Sequence, residues 1–370
     1  MTQIEVDKIG SATSPLRLSR TLSIVAGNGI ARAGDVVVVR VLTDNATYNM
    51  LELPTGRLAK VNPGDVLAGV LGRRRALKGF VGDVPVTVQT GDELHLLSLG
   101  GVIGSCSGHH SSLNDAIKVE VLGLAANEGG AIKNIADVAL PWRETLGASA
   151  PLVVIAGACM NSGKTYAATE IIQQATRAGL RVAAAKLSGI ACLRDTLNMQ
   201  DHGAIATASF LDCGLPSTVG AENLAQVAKA IVARLNESAP DLIVIELGDG
   251  ILGGYSVESV FEDEELREAM TALVFCASDY VAAWGGIELF RRRGITIDLV
   301  AGSVTDSRMG EDYIQNEFGV PAANARRNGA KLFEIVKAKV SGFKFQVSSS
   351  QIKPYSNEFA IGDPTRGKTV

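Results

Sequence analysis

The chain has 370 residues, of which 46% are hydrophobic and 20% charged, so it can form two or three domains with buried cores and is neither disordered nor fibrous. Its 35 lysines and arginines are balanced by 39 aspartates and glutamates, and the net charge of -4 argues against binding of nucleic acid through a general basic excess. The 40 glycines and only 5% aromatic residues indicate many tight turns, as in small barrels and in phosphate-binding α/β folds.

The expected environment is the cytoplasm. No apolar run reaches the roughly 18 residues of a membrane span, and the first residues carry Glu5 and Asp7 without the apolar stretch of a secretory signal. The cysteines are widely spaced and lack a Cys-x-x-Cys pair, which argues against a disulfide framework or a zinc site. We expect a small-molecule substrate, no nucleic-acid or membrane partner, and at residues 222–238 a helical face suited to a homodimer.

Residues 1–145 are predicted to form a β-rich domain. Between residues 22 and 123, short β-prone runs such as 35–40 and 48–53 alternate with turn signals such as Pro63-Gly64-Asp65 and Thr90-Gly91-Asp92. Strands this short and this evenly separated predict a barrel or a sandwich. Residues 125–151 are interpreted as a connector.

Residues 151–340 are predicted to form a doubly wound, mostly parallel α/β domain with helices on both faces. Its apolar runs lack polar alternation, which is typical of strands buried on both faces of a parallel sheet. The predicted strands are 152–156, 180–185, 242–246, 273–276 and 297–301, and the predicted helices are 165–178, 222–238 and 280–293. Residues 341–370 are expected to form an arm or tail, and Gly367-Lys368-Thr369 within them is interpreted as a chance motif because neither a strand nor a helix flanks it.

The strongest motif is Gly157-Ala-Cys-Met-Asn-Ser-Gly-Lys-Thr165, between a predicted strand and a predicted helix. Backbone N–H groups of such a loop and the positive end of the following helix attract phosphate oxygens. We expect Lys164 to contact the terminal phosphates and the Thr165 hydroxyl to bind Mg²⁺, which prefers oxygen ligands. The predicted nucleotide contacts in this loop are Gly157, Asn161, Ser162, Gly163, Lys164 and Thr165.

A carboxylate ligand for the Mg²⁺ is expected at the end of the buried strand 242–246. Glu246 is the preferred residue and Asp249, three residues later, is the reserve. Ligands in open α/β sheets bind at the carboxyl ends of the strands, where both residues lie.

The loop is one residue longer than the common Gly-x-x-x-x-Gly-Lys-Ser/Thr spacing, and in this it resembles phosphate-loop NTPases of the branch of dethiobiotin synthetase and the amidotransferase-type cobyrinate synthases. The resemblance covers residues 152–320. In dethiobiotin synthetase the second strand ends in Lys-Pro-Val-x-Ser-Gly, matched here by Lys186-Leu-Ser188-Gly. The resemblance therefore implies catalytic roles for Lys164, Lys186 and Ser188.

The same resemblance implies further ligands. The Mg²⁺-binding aspartate of the family is matched most closely by Asp201, with Asp195 as a rival, and its third acid by Glu246. Where the family reads the purine after a late strand, this chain has Ser303-Val-Thr-Asp306, and Thr305 is our candidate for a nucleotide contact. The choice between ATP, GTP and coenzyme A stays open.

The implied activity is ATP- and Mg²⁺-dependent phosphorylation of a carboxylate or carbamate, followed by ligation or ring closure. The lysine segment is two residues shorter than in the family, so the substrate is expected to differ. A weaker resemblance, to phosphate-loop D-amino-acid N-acetyltransferases, implies instead that the loop holds acetyl-coenzyme A and that an amino acid is acetylated. A third hypothesis is a regulatory or delivery NTPase whose β-rich domain binds a partner.

Overall fold

The computed structural model describes residues 1–340, apart from the side chain of Asn28. The predicted C-terminal arm, with Gly367-Lys368-Thr369, lies outside the described residues. The N-terminal part consists of strands joined by short turns, as its turn signals predict. These strands are β1 (Thr2–Glu5), β2 (Lys8–Ile9), β3 (Thr21–Val25), β4 (Asn28–Ile30), β5 (Val36–Val41), β6 (Met50–Glu52), β7 (Leu58–Lys60), β8 (Val66–Leu71), β9 (Arg74–Arg75), β10 (Phe80–Asp83), β11 (Thr87–Gln89), β12 (Glu93–Leu96), β13 (Val102–His109) and β14 (Lys118–Ala125).

Five of these strands close into a barrel. Strand β14 pairs with β5, β5 with β8, β8 with β13, β13 with β12, and β12 returns to β14. Closure leaves none of the five with an open edge. Val37 and Val39 of β5 point into the barrel, whereas Val36 and Val38 point outward into a core shared with the C-terminal part. The first four residues of β5 are all valine because both faces of this part of the strand are buried.

The C-terminal part alternates strands and helices. Its strands are β15 (Leu152–Gly157), β16 (Val182–Ser188), β17 (Ala206–Ser209), β18 (Leu242–Leu247), β19 (Met270–Cys276) and β20 (Leu299–Ala301). Its helices are α1 (Lys164–Arg177), α2 (Arg194–Asp201), α3 (Leu224–Asn236), α4 (Glu258–Glu262), α5 (Glu264–Ala269), α6 (Tyr280–Arg292), α7 (Arg308–Phe318) and α8 (Gly329–Val340). None of the helices in the described part of the chain is long and apolar enough to cross a lipid bilayer.

The six strands form one parallel sheet in the order β17-β16-β18-β15-β19-β20. Along β15, Val153 and Ile155 face a layer that includes α1 and α8, while Val154 and Ala156 face the opposite layer with α3 and α6. The predicted fold class, a doubly wound sheet after a β-rich region, is confirmed. All five predicted strands and all three predicted helices are present.

Several shorter elements escaped prediction because their sequences lack a clear apolar period. Helix α2 is an example, since only Thr196 and Met199 of its eight residues are buried.

The two parts of the chain are joined by packing as well as by the connector: Val36 and Val38 share one core cluster with Leu152 and Val154. The N-terminal part therefore packs directly against the C-terminal part.

The close contact between α6 and β19 predicts that alanine substitutions at two neighbouring glycines of α6 will have opposite effects on stability. A Cβ added to the buried Gly286 would lie 2.1 Å from the Phe275 ring, whereas one added to the neighbouring Gly285 would meet open space. We expect Gly286→Ala to lower the free energy of unfolding by about 1–3 kcal/mol, because the helix must move off the sheet.

Gly285→Ala is the matched control, and we expect it to raise the free energy of unfolding by about 0.5–1 kcal/mol through helix propensity. Urea unfolding of both variants measures the two values. Equal effects of the two substitutions would contradict the described packing of α6.

Candidate functional site

The glycine motif forms a loop between β15 and α1, as its position in the sequence predicts. The backbone takes positive φ angles at Asn161 (61°) and Gly163 (103°) as it turns back toward the helix. A Cβ on Gly163 would lie 2.9 Å from the Cα of Gly302, and one on Gly302 would lie 2.2 Å from the Ser162 carbonyl oxygen. Both glycines are required because the loop rests against the end of β20 with no room for side chains.

Lys164 is the first residue of α1 and extends back across the loop. Its Nζ donates a hydrogen bond to the Cys159 carbonyl at 2.8 Å and lies 3.5 Å from the Ser162 hydroxyl. Burial, with a further contribution from Lys186, lowers the pKa of Lys164. Among the described residues no carboxylate lies within ion-pair distance of this ammonium group. A buried cation without a counter-charge favours an anionic ligand.

Beside the loop, one ammonium group bridges two carboxylates. Lys186 of β16 and Glu246 of β18 are paired residues of adjacent parallel strands, and Lys186 Nζ lies 2.6 Å from Glu246 Oε1. The same Nζ lies 2.8 Å from an oxygen of Asp195, in the first turn of α2. The side chain of Glu246 is only 1% exposed and that of Lys186 13%, so this ion pair is largely buried.

The charges of this cluster depend on each other. Burial opposes protonation of Lys186, but Asp195 and Glu246 outweigh burial and raise the pKa of Lys186. In turn, Lys186 lowers the pKa of Asp195 against the effect of burial. The three side chains are therefore a charged unit in which two carboxylates share one ammonium group, leaving an excess of one negative charge.

The oxygen atoms around Glu246 fit a magnesium ion. The Thr165 hydroxyl donates to Glu246 Oε1 at 3.0 Å, and Asp195 lies on the other side of Lys186. The second oxygen of Glu246, Oε2, is buried and has no hydrogen-bond partner among the described residues. An unsatisfied buried carboxylate oxygen is costly, and a hard cation with its water ligands would satisfy it.

The other residues predicted for the site occupy different positions. Ser188 and Thr305 are fully buried, with their hydroxyl groups donating to the carbonyls of Gly248 (3.0 Å) and Gly302 (2.7 Å). Both therefore hold the backbone behind the site. Asp201 lies six residues beyond Asp195, about 9 Å along the helix axis, and among the described residues it forms neither a hydrogen bond nor an ion pair with Glu246. Asp249 has a φ of 61°, and burial raises its pKa.

A cavity of about 1140 Å³ opens over this end of the sheet. One wall, which no motif predicted, comes from the start of α1 and the segment before α8. Arg326 lies with its guanidinium 3.8 Å from the centre of the Tyr166 ring, and Asn324 donates to Asp306 at 2.8 Å. These residues are far apart in the sequence, so only the fold shows that they meet. A second wall comes from α2 and the turn between β6 and β7.

The C-terminal part thus has a phosphate-loop fold: a central strand, β15, a glycine loop, and a helix that begins with Lys164 and Thr165. No family model and no curated protein matches the sequence. Among solved structures, the signal recognition particle receptor FtsY from Elizabethkingia anophelis in complex with GDP is similar over 55% of this chain and 69% of its own, at 14% identity and a TM-score of 0.37.

Two further solved structures show the same degree of similarity. A DUF1611 family protein from Anabaena variabilis is 14% identical over 57% of this chain and 65% of its own, with a TM-score of 0.37. The signal recognition particle 54 kDa protein from Aeropyrum pernix K1, in complex with GDP, is 14% identical over 53% of this chain and 49% of its own, with a TM-score of 0.36.

Because Lys186 partly neutralises the two carboxylates, removing its ammonium group should make the stability of the protein depend on Mg²⁺. Lys186→Met leaves Asp195 and Glu246 without their cation, and we expect the metal-free variant to lose about 3 kcal/mol of stability. Mg²⁺ bound to the folded state should restore much of this loss. Thermal unfolding with and without added Mg²⁺ measures the effect.

Lys229→Met is the matched control, because Lys229 Nζ also lies between two carboxylates, 2.7 Å from Asp263 and 2.7 Å from Glu265, but away from the loop. We expect little recovery there with Mg²⁺, since Glu265 is partly exposed and solvated. An equal response of both variants to Mg²⁺ would contradict a metal site at Glu246.

Proposed function

We propose that the protein is an ATP- and Mg²⁺-dependent enzyme that activates the carboxylate of a small metabolite by phosphoryl transfer. The observation that carries the proposal is the position of Lys186. Its ammonium group lies on the carboxylates beside the phosphate loop and faces a cavity larger than the roughly 300–1,000 Å³ of a typical single-ligand pocket. A site for phosphates and space for a second molecule are thus combined.

In this proposal the loop holds the nucleotide phosphates. The backbone N–H groups after Gly157 and the N-terminal end of α1 contact the phosphate oxygens, and Lys164 supplies the positive charge. Thr165, Glu246 and Asp195 would hold Mg²⁺, which neutralises phosphate charge when bound. Asp195 is preferred here over Asp201 because Asp195 shares Lys186 with Glu246. The wall of Tyr166 and Arg326 offers a stacking surface for the base.

The proposed chemical step is transfer of the γ-phosphoryl group to the substrate. A carboxylate oxygen of the substrate forms a bond to the γ-phosphorus while the bond from that phosphorus to the β–γ bridging oxygen breaks, and ADP leaves with the electron pair. The product is an acyl phosphate. An amine then attacks its carbonyl carbon, the C–N bond forms as the C–O bond to phosphate breaks, and the proton lost by the nitrogen leaves with inorganic phosphate. Catalysis of such a step is mainly positioning and charge stabilisation, for which Lys164 and Lys186 are placed.

The sequence resemblance to dethiobiotin synthetase also supports this chemistry, independently of the cavity. The lysine at the end of the second strand of that family is matched by Lys186, which lies next to Glu246. The fully buried Ser188 holds the turn that follows, so its contribution would be to position this segment.

Replacing Lys164 tests the loop assignment. We expect Lys164→Ala to weaken binding of MgATP about 10- to 100-fold, because a charged hydrogen bond to the phosphates is worth about 1.5–3 kcal/mol. Isothermal titration calorimetry measures the affinity. Lys60→Ala, at an exposed strand position of the β-rich part, is the control and should bind as the unsubstituted protein does. Retained affinity in Lys164→Ala would overturn the assignment.

The reaction class is tested by trapping the acyl phosphate. Purified protein incubated with MgATP, a mixture of small carboxylic acids and hydroxylamine is expected to yield hydroxamates, with ADP formed only when an acid is present. Consumption of acetyl-coenzyme A without nucleotide turnover would identify an acetyltransferase instead. Slow nucleotide hydrolysis that no small molecule stimulates would indicate a regulatory NTPase, and GTP in place of ATP tests the base preference.

A further inference from the structure

The cavity extends beyond the phosphate loop along α2, where three further polar side chains of this helix line it. Arg194, Asn198 and Asp201 line the cavity, and within the described residues their side chains take part in neither a hydrogen bond nor an ion pair. Their spacing of four and then three residues places them on one face of the helix. A cation, an amide and a carboxylate thus point from one helix face to the same space.

The opposite side of this space is built by the N-terminal part. Thr55 and Gly56, in the turn between β6 and β7, line the cavity, and Gly56 packs on Leu197 of α2. The turn is held in place by Glu52 at the end of β6. This buried carboxylate accepts hydrogen bonds from the Leu193 N–H at 2.6 Å, just before α2, and from the Ser11 hydroxyl.

The positions of the charged side chains along α2 indicate the charges and the length of a ligand that would fit there. Arg194 is adjacent to Asp195 and therefore lies at the end of the helix next to Lys186 and the phosphate loop. Asp201 is seven residues later, about 10.5 Å along the helix axis. A molecule with both groups on one carbon is too short to engage both charges, whereas an extended molecule with a carboxylate and an ammonium group at opposite ends matches them.

We propose that the polar face of α2 and the β6–β7 turn form the binding subsite for the second substrate, an extended amino acid whose carboxylate and amine lie at opposite ends. Its carboxylate lies at Arg194, next to the phosphate loop, and its amine lies at Asp201. That the carboxylate is the end of the substrate that reacts rests on the proposed function. The β-rich part thereby has a role in substrate binding, through Thr55 and Gly56.

Four probes of equal chain length test the charge pattern: 6-aminohexanoate, adipate, hexanoate and 1,6-diaminohexane. Binding of each is measured by calorimetry, with and without Mg²⁺ and a non-hydrolysable ATP analogue. The expected order places 6-aminohexanoate first and adipate behind hexanoate, because the second carboxylate of adipate meets Asp201. Failure of all four probes to bind the protein that has bound the ATP analogue would overturn the subsite while leaving the proposed function intact.

Two substitutions assign the two ends. Arg194→Gln should weaken 6-aminohexanoate and hexanoate about tenfold or more, since the carboxylate contact is lost, and should strengthen 1,6-diaminohexane, whose second ammonium group no longer meets a cation. Asp201→Asn should weaken 6-aminohexanoate and 1,6-diaminohexane by a similar factor and strengthen adipate. Gln200→Ala is the matched control: Gln200 is exposed on the same helix but bonds to Thr207 outside the cavity, and all four affinities should be retained.

Thr55→Trp tests the contribution of the β6–β7 turn. The larger side chain should obstruct the subsite and weaken all four probes together, while the affinity for the ATP analogue stays the same. Thermal unfolding of each variant confirms that it is folded. The proposal would be overturned if none of the three cavity variants changed the binding of 6-aminohexanoate. If 6-aminohexanoate still bound to Lys164→Ala, its binding would not require the nucleotide site. That result would support the subsite even if the proposed function failed.

Discussion

The arrangement of the site depends on one buried ammonium group shared by two carboxylates. Lys186, Glu246 and Asp195 come from two adjacent strands and the following helix, and each is costly to bury alone. Because the charges must remain together, the ends of β16 and β18 and the start of α2 are fixed relative to each other. Thr165 joins the same unit through Glu246, which ties the phosphate loop to it.

The β-rich part takes part in this arrangement. The two parts of the chain share an apolar core, to which β5 contributes the outward-facing Val36 and Val38. Glu52 adds a polar contact, accepting the backbone N–H that precedes α2. The β-rich part therefore helps to set the start of the helix that carries Asp195, which gives a physical link between a region without a recognisable motif and the charged cluster.

Much of the fold could be predicted because burial leaves a strong pattern in the sequence. Most strands of the parallel sheet are covered on both faces, so they appear as runs of apolar residues without polar alternation, and the glycine loop follows one of them. Helix α2 left no such pattern, since it buries only Thr196 and Met199. The cavity wall with Tyr166 and Arg326 could not be predicted either, because the ring and the guanidinium group come from segments that lie far apart in the sequence.

The sequence by itself determined the order of strands and helices, the glycine loop that precedes Lys164 and Thr165, and the acidic residue at the end of its strand. These follow from local composition and spacing, which operate over a few residues. The tertiary structure decided which acid joins Glu246 and Lys186, placing Asp195 there and Asp201 further along the cavity. It also decided that Ser188 and Thr305 lie behind the site and that the β6–β7 turn borders it, because these positions depend on packing between distant segments.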